Sequence, residues 1–94
     1  MDCADVLFSG HAVQRIFERA LQRDDILGIV RDGEVIAEYS DDKPHPSCLL
    51  LGFVYGEPIH VVVAREAESR RCFVVTAYVP NPIMWFDDFR TRRQ

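Results

Sequence analysis

The sequence predicts an α+β domain: two N-terminal helices packed on one face of an antiparallel sheet of about four strands. Three observations lead there. Residues 9–23 carry apolar side chains at three- and four-residue spacing, the period of an amphipathic helix. From Glu34 onward the apolar residues instead fall in short runs of strand length, partly alternating. The links between those runs are short and rich in glycine, proline and charge, which favours neighbouring antiparallel strands.

The first helix is expected over residues 9–22. Ser9 stands where an N-cap belongs, and residues 1–8 lead into it with Phe8 beside the cap. Val13, Ile16, Phe17, Ala20 and Leu21 fall on one face. His11, Arg15, Arg19 and Arg23 recur at strict i+4 steps on another edge. Like charges at that spacing repel, so the stripe either borrows carboxylates, Glu18 among them, or is kept for an anion. Asp24 is expected to cap a second, short helix through Val30, and Asp32-Gly33 marks a turn. Strands are expected over residues 34–39, 48–55, 59–65 and 72–79. Residues 40–47 form a proline-bearing loop, and Gly56-Glu57-Pro58 and residues 66–71 supply the remaining links. On the last strand Cys72, Val74, Thr76 and Tyr78 share one face and Phe73, Val75, Ala77 and Val79 the other. The all-apolar face is expected to meet the helices. That leaves His60, Thr76 and Tyr78 together on the other face or at the rim.

Length and composition bound the function. Ninety-four residues make one domain, 1–94, with residues 81–94 as a C-terminal tail or lid. Hydrophobic residues at 48% and charged residues at 28% suit a folded globular chain, and no apolar run reaches a membrane span. No signal peptide is expected, and three widely spaced cysteines, Cys3, Cys48 and Cys72, suit a reduced, cytoplasmic protein. The net charge of −4 argues against a sequence-independent nucleic-acid coat. Ten of the eleven basic residues are arginine. That bias suits specific carboxylate or phosphate contacts, and it equally suits GC-rich codon usage.

Two chemical readings compete at the helix edge. Arg15 and Arg19 are suited to hold a phosphate while His11 moves a proton; a solvated, neutralised face explains the same residues. His60 lies in an otherwise apolar strand, as a second proton-transfer group or as a hydrogen-bonded core histidine. Thr76 and Tyr78 supply hydroxyls or are simply strand formers. No cysteine or histidine spacing suits zinc, and no glycine-rich phosphate loop is present, so no metal or cofactor is expected. Trp85, Phe86 and Phe89 either fold back as a lid or form an apolar patch for a partner or a second copy. A small-molecule pocket lined by Tyr39, Phe53 and Tyr55 is a weaker option.

Several segments together carry a family resemblance. They are Phe8-Ser9-x-His11-Ala12-x-x-Arg15-x-x-x-Arg19, Gly33-Glu34-Val35-Ile36 through Tyr39, Cys48-Leu49-Leu50-Leu51-Gly52, Gly56-x-Pro58-Ile59-His60-Val61-Val62, Val75-Thr76-Ala77-Tyr78-x-Pro80 and Trp85. The chain resembles the bacterial family catalogued as domain of unknown function 4258 over about residues 8–85. The resemblance implies a curved sheet and a fold similar to the RelE-like ribonuclease toxins. It also implies a cognate antitoxin partner carrying a zinc-finger domain. Its polar positions here are His11, Arg15, Arg19, His60, Thr76 and Tyr78. The tail, residues 86–94, and the net acidity depart from it. The expected activity is metal-independent RNA cleavage, with His11, His60 and Tyr78 moving protons and Arg15, Arg19 and Thr76 binding substrate. The alternative is a non-catalytic module whose helix edge and basic tail dock an acidic protein.

Overall fold

The structure, a computed structural model, describes residues 1–94. It runs β1 (Asp5–Phe8), α1 (Gly10–Glu18), α2 (Arg23–Asp32), β2 (Glu34–Tyr39), β3 (Ser47–Val54), β4 (Glu57–Arg65) and β5 (Arg71–Tyr78). The five strands form one sheet in the order β1-β5-β4-β3-β2. The pairs β2–β3, β3–β4 and β4–β5 are antiparallel, as expected, while β1 lies parallel to β5. The sheet therefore has five strands and is mixed, where four antiparallel strands were expected. The added strand is the run Val6-Leu7-Phe8, whose partner lies more than sixty residues away. So short a run carries no periodicity of its own.

β1 also changes the reading of the cysteines. It brings Cys3 alongside β5, where a disulfide joins it to Cys72, 69 residues further on. The expectation of three reduced cysteines is corrected for this pair; only Cys48 is free, and it is buried. A cross-link across so long a stretch restricts the unfolded chain strongly.

Both helices pack on one face of the sheet. Ala12 and Ile16 of α1 join Ile26, Ile29 and Val30 of α2 over alternate residues of β3, β4 and β5. On β4 these are Ile59, Val61 and Val63, so the intervening His60 points to the opposite face. Two glycines let α2 approach closely. A side chain at Gly33 would meet the Ile29 carbonyl and side chain, and one at Gly52 would strike the Ile29 side chain. The hairpin between β3 and β4 turns at Tyr55 and Gly56, with φ of 50° and 81°. Both central residues are left-handed, as a two-residue type I′ turn demands. The turn thus starts one residue before the expected Gly56-Glu57-Pro58.

α1 begins as expected, with the Ser9 hydroxyl accepting from the Ala12 N–H at 3.0 Å. It ends four residues early. Arg19 is its C-cap and Ala20 turns left-handed at φ 54°. The Leu21 N–H reaches the Ile16 carbonyl at 3.0 Å and the Ala20 N–H reaches Phe17 at 3.2 Å, the paired bonds of a Schellman stop. The early stop rotates the expected apolar face. Ala12 and Ile16 are buried, while Val13 and Phe17 are 56% and 85% exposed.

Alternation on β5 is broken by a bulge. Val62 pairs with Thr76 and Val63 with Val74, leaving Val75 extra. Cys72, Val74 and Ala77 consequently share the helix face, and the expected division into two strictly alternating sets does not hold. Tyr78 returns to the face of His60, its register partner.

Residues 80–94 cross that second face as a strap. A bridge between Trp85 and Arg92, and a bond from the Phe86 N–H to the Thr91 carbonyl at 2.9 Å, fold it on itself. Trp85 is buried, and Arg90 reaches Glu34 on β2 at 2.8 Å.

The Ala20 position yields a direct test. A β-carbon in left-handed backbone costs more than glycine's extra unfolded-state freedom, and Ala20 is exposed, so no packing is lost. Ala20→Gly is expected to raise stability by about 0.5–1 kcal/mol, read from urea unfolding midpoints at unchanged slope.

Candidate functional site

Of the six polar residues singled out in the sequence, the structure brings four together and leaves two apart. The four are Arg19, Thr76, Tyr78 and His60, gathered where β5 extends beyond the end of β1. β1 covers β5 only as far as Val74, so the outer edge of β5 past the bulge lacks a strand partner. α1 is stitched there at both ends. The Ser9 N–H donates to the Val74 carbonyl at 3.2 Å, and the Arg19 guanidinium donates to the Ala77 carbonyl at 2.7 Å and the Thr76 hydroxyl at 3.4 Å.

His60 is fully buried. Its Nε2 lies 2.8 Å from the Phe89 carbonyl oxygen, which can only accept, so Nε2 carries the proton. Nδ1 is then an acceptor, and the Tyr78 hydroxyl donates to it at 3.3 Å. The Trp85 ring meets the imidazole edge-on with centroids 4.5 Å apart. Burial pushes the His60 pKa down, opposed by the bond to Phe89, and burial pushes the Tyr78 phenol up. Burial is the larger cause for each group, and in both it favours the neutral form. A neutral phenol fixed by an acceptor suits proton donation rather than proton removal.

His11 and Arg15 do not join this cluster. His11 is exposed on α1, on the helix side of the sheet, whereas the His60 ring faces the strap. No hydrogen bond or ring contact joins His11 to His60 or Tyr78. Arg15 is held by Glu18 at 2.8 Å, and the hydrogen bond from Gln14, with that from Arg15, lowers the Glu18 pKa. Arg23 stands over the Phe8 ring at 4.9 Å, on the far side of the early helix stop. The four-residue basic stripe is thus dismantled, one side chain at a time.

The basic tail is likewise committed internally. Arg93 donates to the Pro82 and Trp85 carbonyls, and the bond and charge of Glu34 raise the Arg90 pKa while Arg90 lowers that of Glu34. Tyr55 and Phe53 line different cavities. That of Tyr55, about 270 Å³, also holds Leu21, Ile26 and Ile59. No three histidine, cysteine, aspartate or glutamate side chains converge closely enough to hold a metal ion, and no helix is long and apolar enough to cross a membrane.

Sequence reasoning missed the Phe89 carbonyl and the role of Trp85 against His60. A lone histidine in an apolar strand signals a need for polar partners, but a backbone acceptor 29 residues away has no sequence mark.

The fold and this cluster define a small α+β protein with a polar site at one end of a mixed sheet, opposite its helices. The chain belongs to the family described as domain of unknown function 4258, whose model matches residues 8–79. No curated protein and no solved structure matches it.

The site geometry separates structural from surface roles. Tyr78→Phe removes the donor to a buried nitrogen and is expected to cost about 1–3 kcal/mol in chemical denaturation. Arg15→Ala removes an exposed ion pair and is expected to cost under about 1 kcal/mol. Equal costs would contradict the division drawn here.

Proposed function

We propose that the protein is a metal-independent endoribonuclease, the toxin of a toxin–antitoxin pair, with its chemistry at the end of β5. The single observation carrying this reading is the convergence of Arg19, Thr76, Tyr78 and His60. The helices on one face and the polar residues at the other also suit the resemblance to RelE-like toxins. In this mechanism the ribose 2′-oxygen attacks the adjacent phosphorus and its proton leaves to water. The bond from phosphorus to the 5′-oxygen breaks; the Tyr78 hydroxyl turns its proton from His60 Nδ1 to the departing oxygen and is then reprotonated from water. Arg19 keeps N–H groups beyond those on Ala77 and Thr76, and these stabilise charge on the phosphorane. His60 never meets substrate; it positions Tyr78 through Nδ1.

The test is cleavage of a mixed-sequence RNA in excess EDTA, with fragment ends read by mass spectrometry. Fragments ending in 2′,3′-cyclic phosphate are expected from the wild type, and Tyr78→Phe is expected to slow their release by about 10²-fold or more. If His11→Ala abolishes cleavage while Tyr78→Phe leaves it intact, the assignment to β5 is wrong.

A second reading is a non-catalytic module docking an acidic protein, for which the cognate antitoxin with its zinc-finger domain is the first candidate. The exposed Val13 and Phe17, one turn apart on α1, favour it. His11 and Arg15 lie on the other flank of the same helix and offer the basic contacts. On this reading Phe17→Glu abolishes co-elution with the protein encoded beside it and leaves folding intact; undisturbed co-elution would remove α1 as the docking surface.

A further inference from the structure

The strap is fastened to the body of the protein by few polar contacts, and they differ in how they answer to pH. Arg90 meets Glu34 in an exposed ion pair at 2.8 Å. The Phe89 carbonyl takes the His60 Nε2–H at 2.8 Å, and the Trp85 ring covers the same imidazole. The strap's own fold is separate from these. Asp88 holds its turn by accepting from the Arg90 and Thr91 N–H groups, both at 3.0 Å, and from the Thr91 hydroxyl at 2.9 Å. Phe89, at the tip of that turn, sits in left-handed backbone at φ 56°, rare for a bulky side chain.

We propose that residues 80–94 are a pH-operated latch, closed over the sheet while His60 is neutral and opened when His60 takes up a proton. The charged groups around the imidazole support this. From β5 it faces the Tyr78 hydroxyl, and its register partner on β3 is the apolar Leu51. From the strap it faces the Trp85 ring and the Phe89 carbonyl, with Arg92 beyond them, 6.0 Å from the Trp85 ring centroid. Arg19, from the end of α1, and Tyr39, from β2, act on Tyr78 rather than on the ring. No carboxylate is hydrogen-bonded or ion-paired to His60. A second proton therefore puts an uncompensated cation into a dry site, and releasing the strap lets water reach it.

The other anchors do not titrate in the same range. The bond from Arg90 keeps Glu34 below the usual carboxylate range, and the Thr91 and Arg90 bonds do the same for Asp88. The sign follows from His60. Burial lowers its pKa in the closed form, while the open form holds an ordinary value of about 6.5. Above about 6.5 neither form binds the proton and the latch stays shut. Below it the open form gains a proton that the closed form refuses. The ratio of open to closed then rises by up to about tenfold per pH unit, and levels off below the closed form's own pKa. Opening uncovers the His60 ring and the face around it. The latch stands whether or not the protein cleaves RNA.

Trp85 is the protein's single tryptophan, so its fluorescence reports the strap alone. The experiment is acrylamide quenching of the full chain from pH 7.5 to pH 5, with far-UV circular dichroism following the helices and sheet. Quenching is expected to rise as pH falls below about 6.5 in the wild type, with the circular dichroism unchanged, and to stay flat in His60→Gln. Flat quenching in the wild type, or the same rise in His60→Gln, overturns the proposal. Should His60→Gln fail to fold, Glu34→Gln carries the test. Weakening the second anchor is expected to move the opening midpoint to higher pH, and an unmoved midpoint overturns the single latch.

Discussion

The imidazole of His60 is the constraint around which the second face of this protein is arranged. It is fully buried, in a strand whose neighbouring residues, Ile59 and Val61 to Ala64, are all apolar. A buried nitrogen left without a partner costs about 1–3 kcal/mol, a large share of the stability of so small a domain. Two nitrogens need two partners, and neither is local. Tyr78 supplies one because the β4–β5 register sets it opposite His60. The other must come from outside the sheet, and the Phe89 carbonyl provides it. The strap is therefore part of the fold rather than a loose end. Its Trp85 covers the ring, its backbone satisfies it, and its Arg90 ties down the far side.

The same economy governs the arginines. A row of like charges on one helix is unfavourable, and the fold resolves it by ending the helix. With α1 closed at Glu18, Arg19 becomes a C-cap whose side chain turns to β5, and Arg23 opens α2 and lies over Phe8. Only Arg15 remains on the helix surface, beside Glu18. Repulsion is replaced by one backbone contact, one aromatic contact and one ion pair. Arg19 gains most in consequence, because its contact is with the strand that carries Thr76 and Tyr78.

What was legible in the sequence was whatever depends on near neighbours. The Ser9 cap, the existence of both helices and the four later strands rest on local spacing and turn chemistry, and they are found within a few residues of expectation. What was not legible depends on distant partners. β1 is too short to show a period, and its pairing with β5 brings the Cys3–Cys72 disulfide with it. The Schellman stop uses Ala20 where glycine is usual, so nothing announced that Val13 and Phe17 would be left outside. The meeting of Tyr78 with His60 matches the expectation only because a bulge at Val75, which alternation does not announce, reverses the faces of β5 beyond Cys72 and Val74. That His11 makes no contact with these residues was not legible either, since it depends on where α1 packs.

The bulge at Val75 joins these threads. Without it, strict alternation from Cys72 and Val74 would turn Thr76 and Tyr78 toward the helices and Ala77 toward the strap. One extra residue reverses that parity halfway along β5. Ala77 then fills the narrow space under α1, Tyr78 meets His60, and Thr76 stands at an edge where Arg19 can reach it. β1 stops level with the bulge, and Ser9 takes over its hydrogen bonding at Val74 before the chain enters α1. A single backbone irregularity thus sets where the edge strand ends, where the first helix is anchored and which hydroxyls face the strap. It lies beside Arg19, Thr76, Tyr78 and His60, and bulges commonly re-aim the side chains next to them.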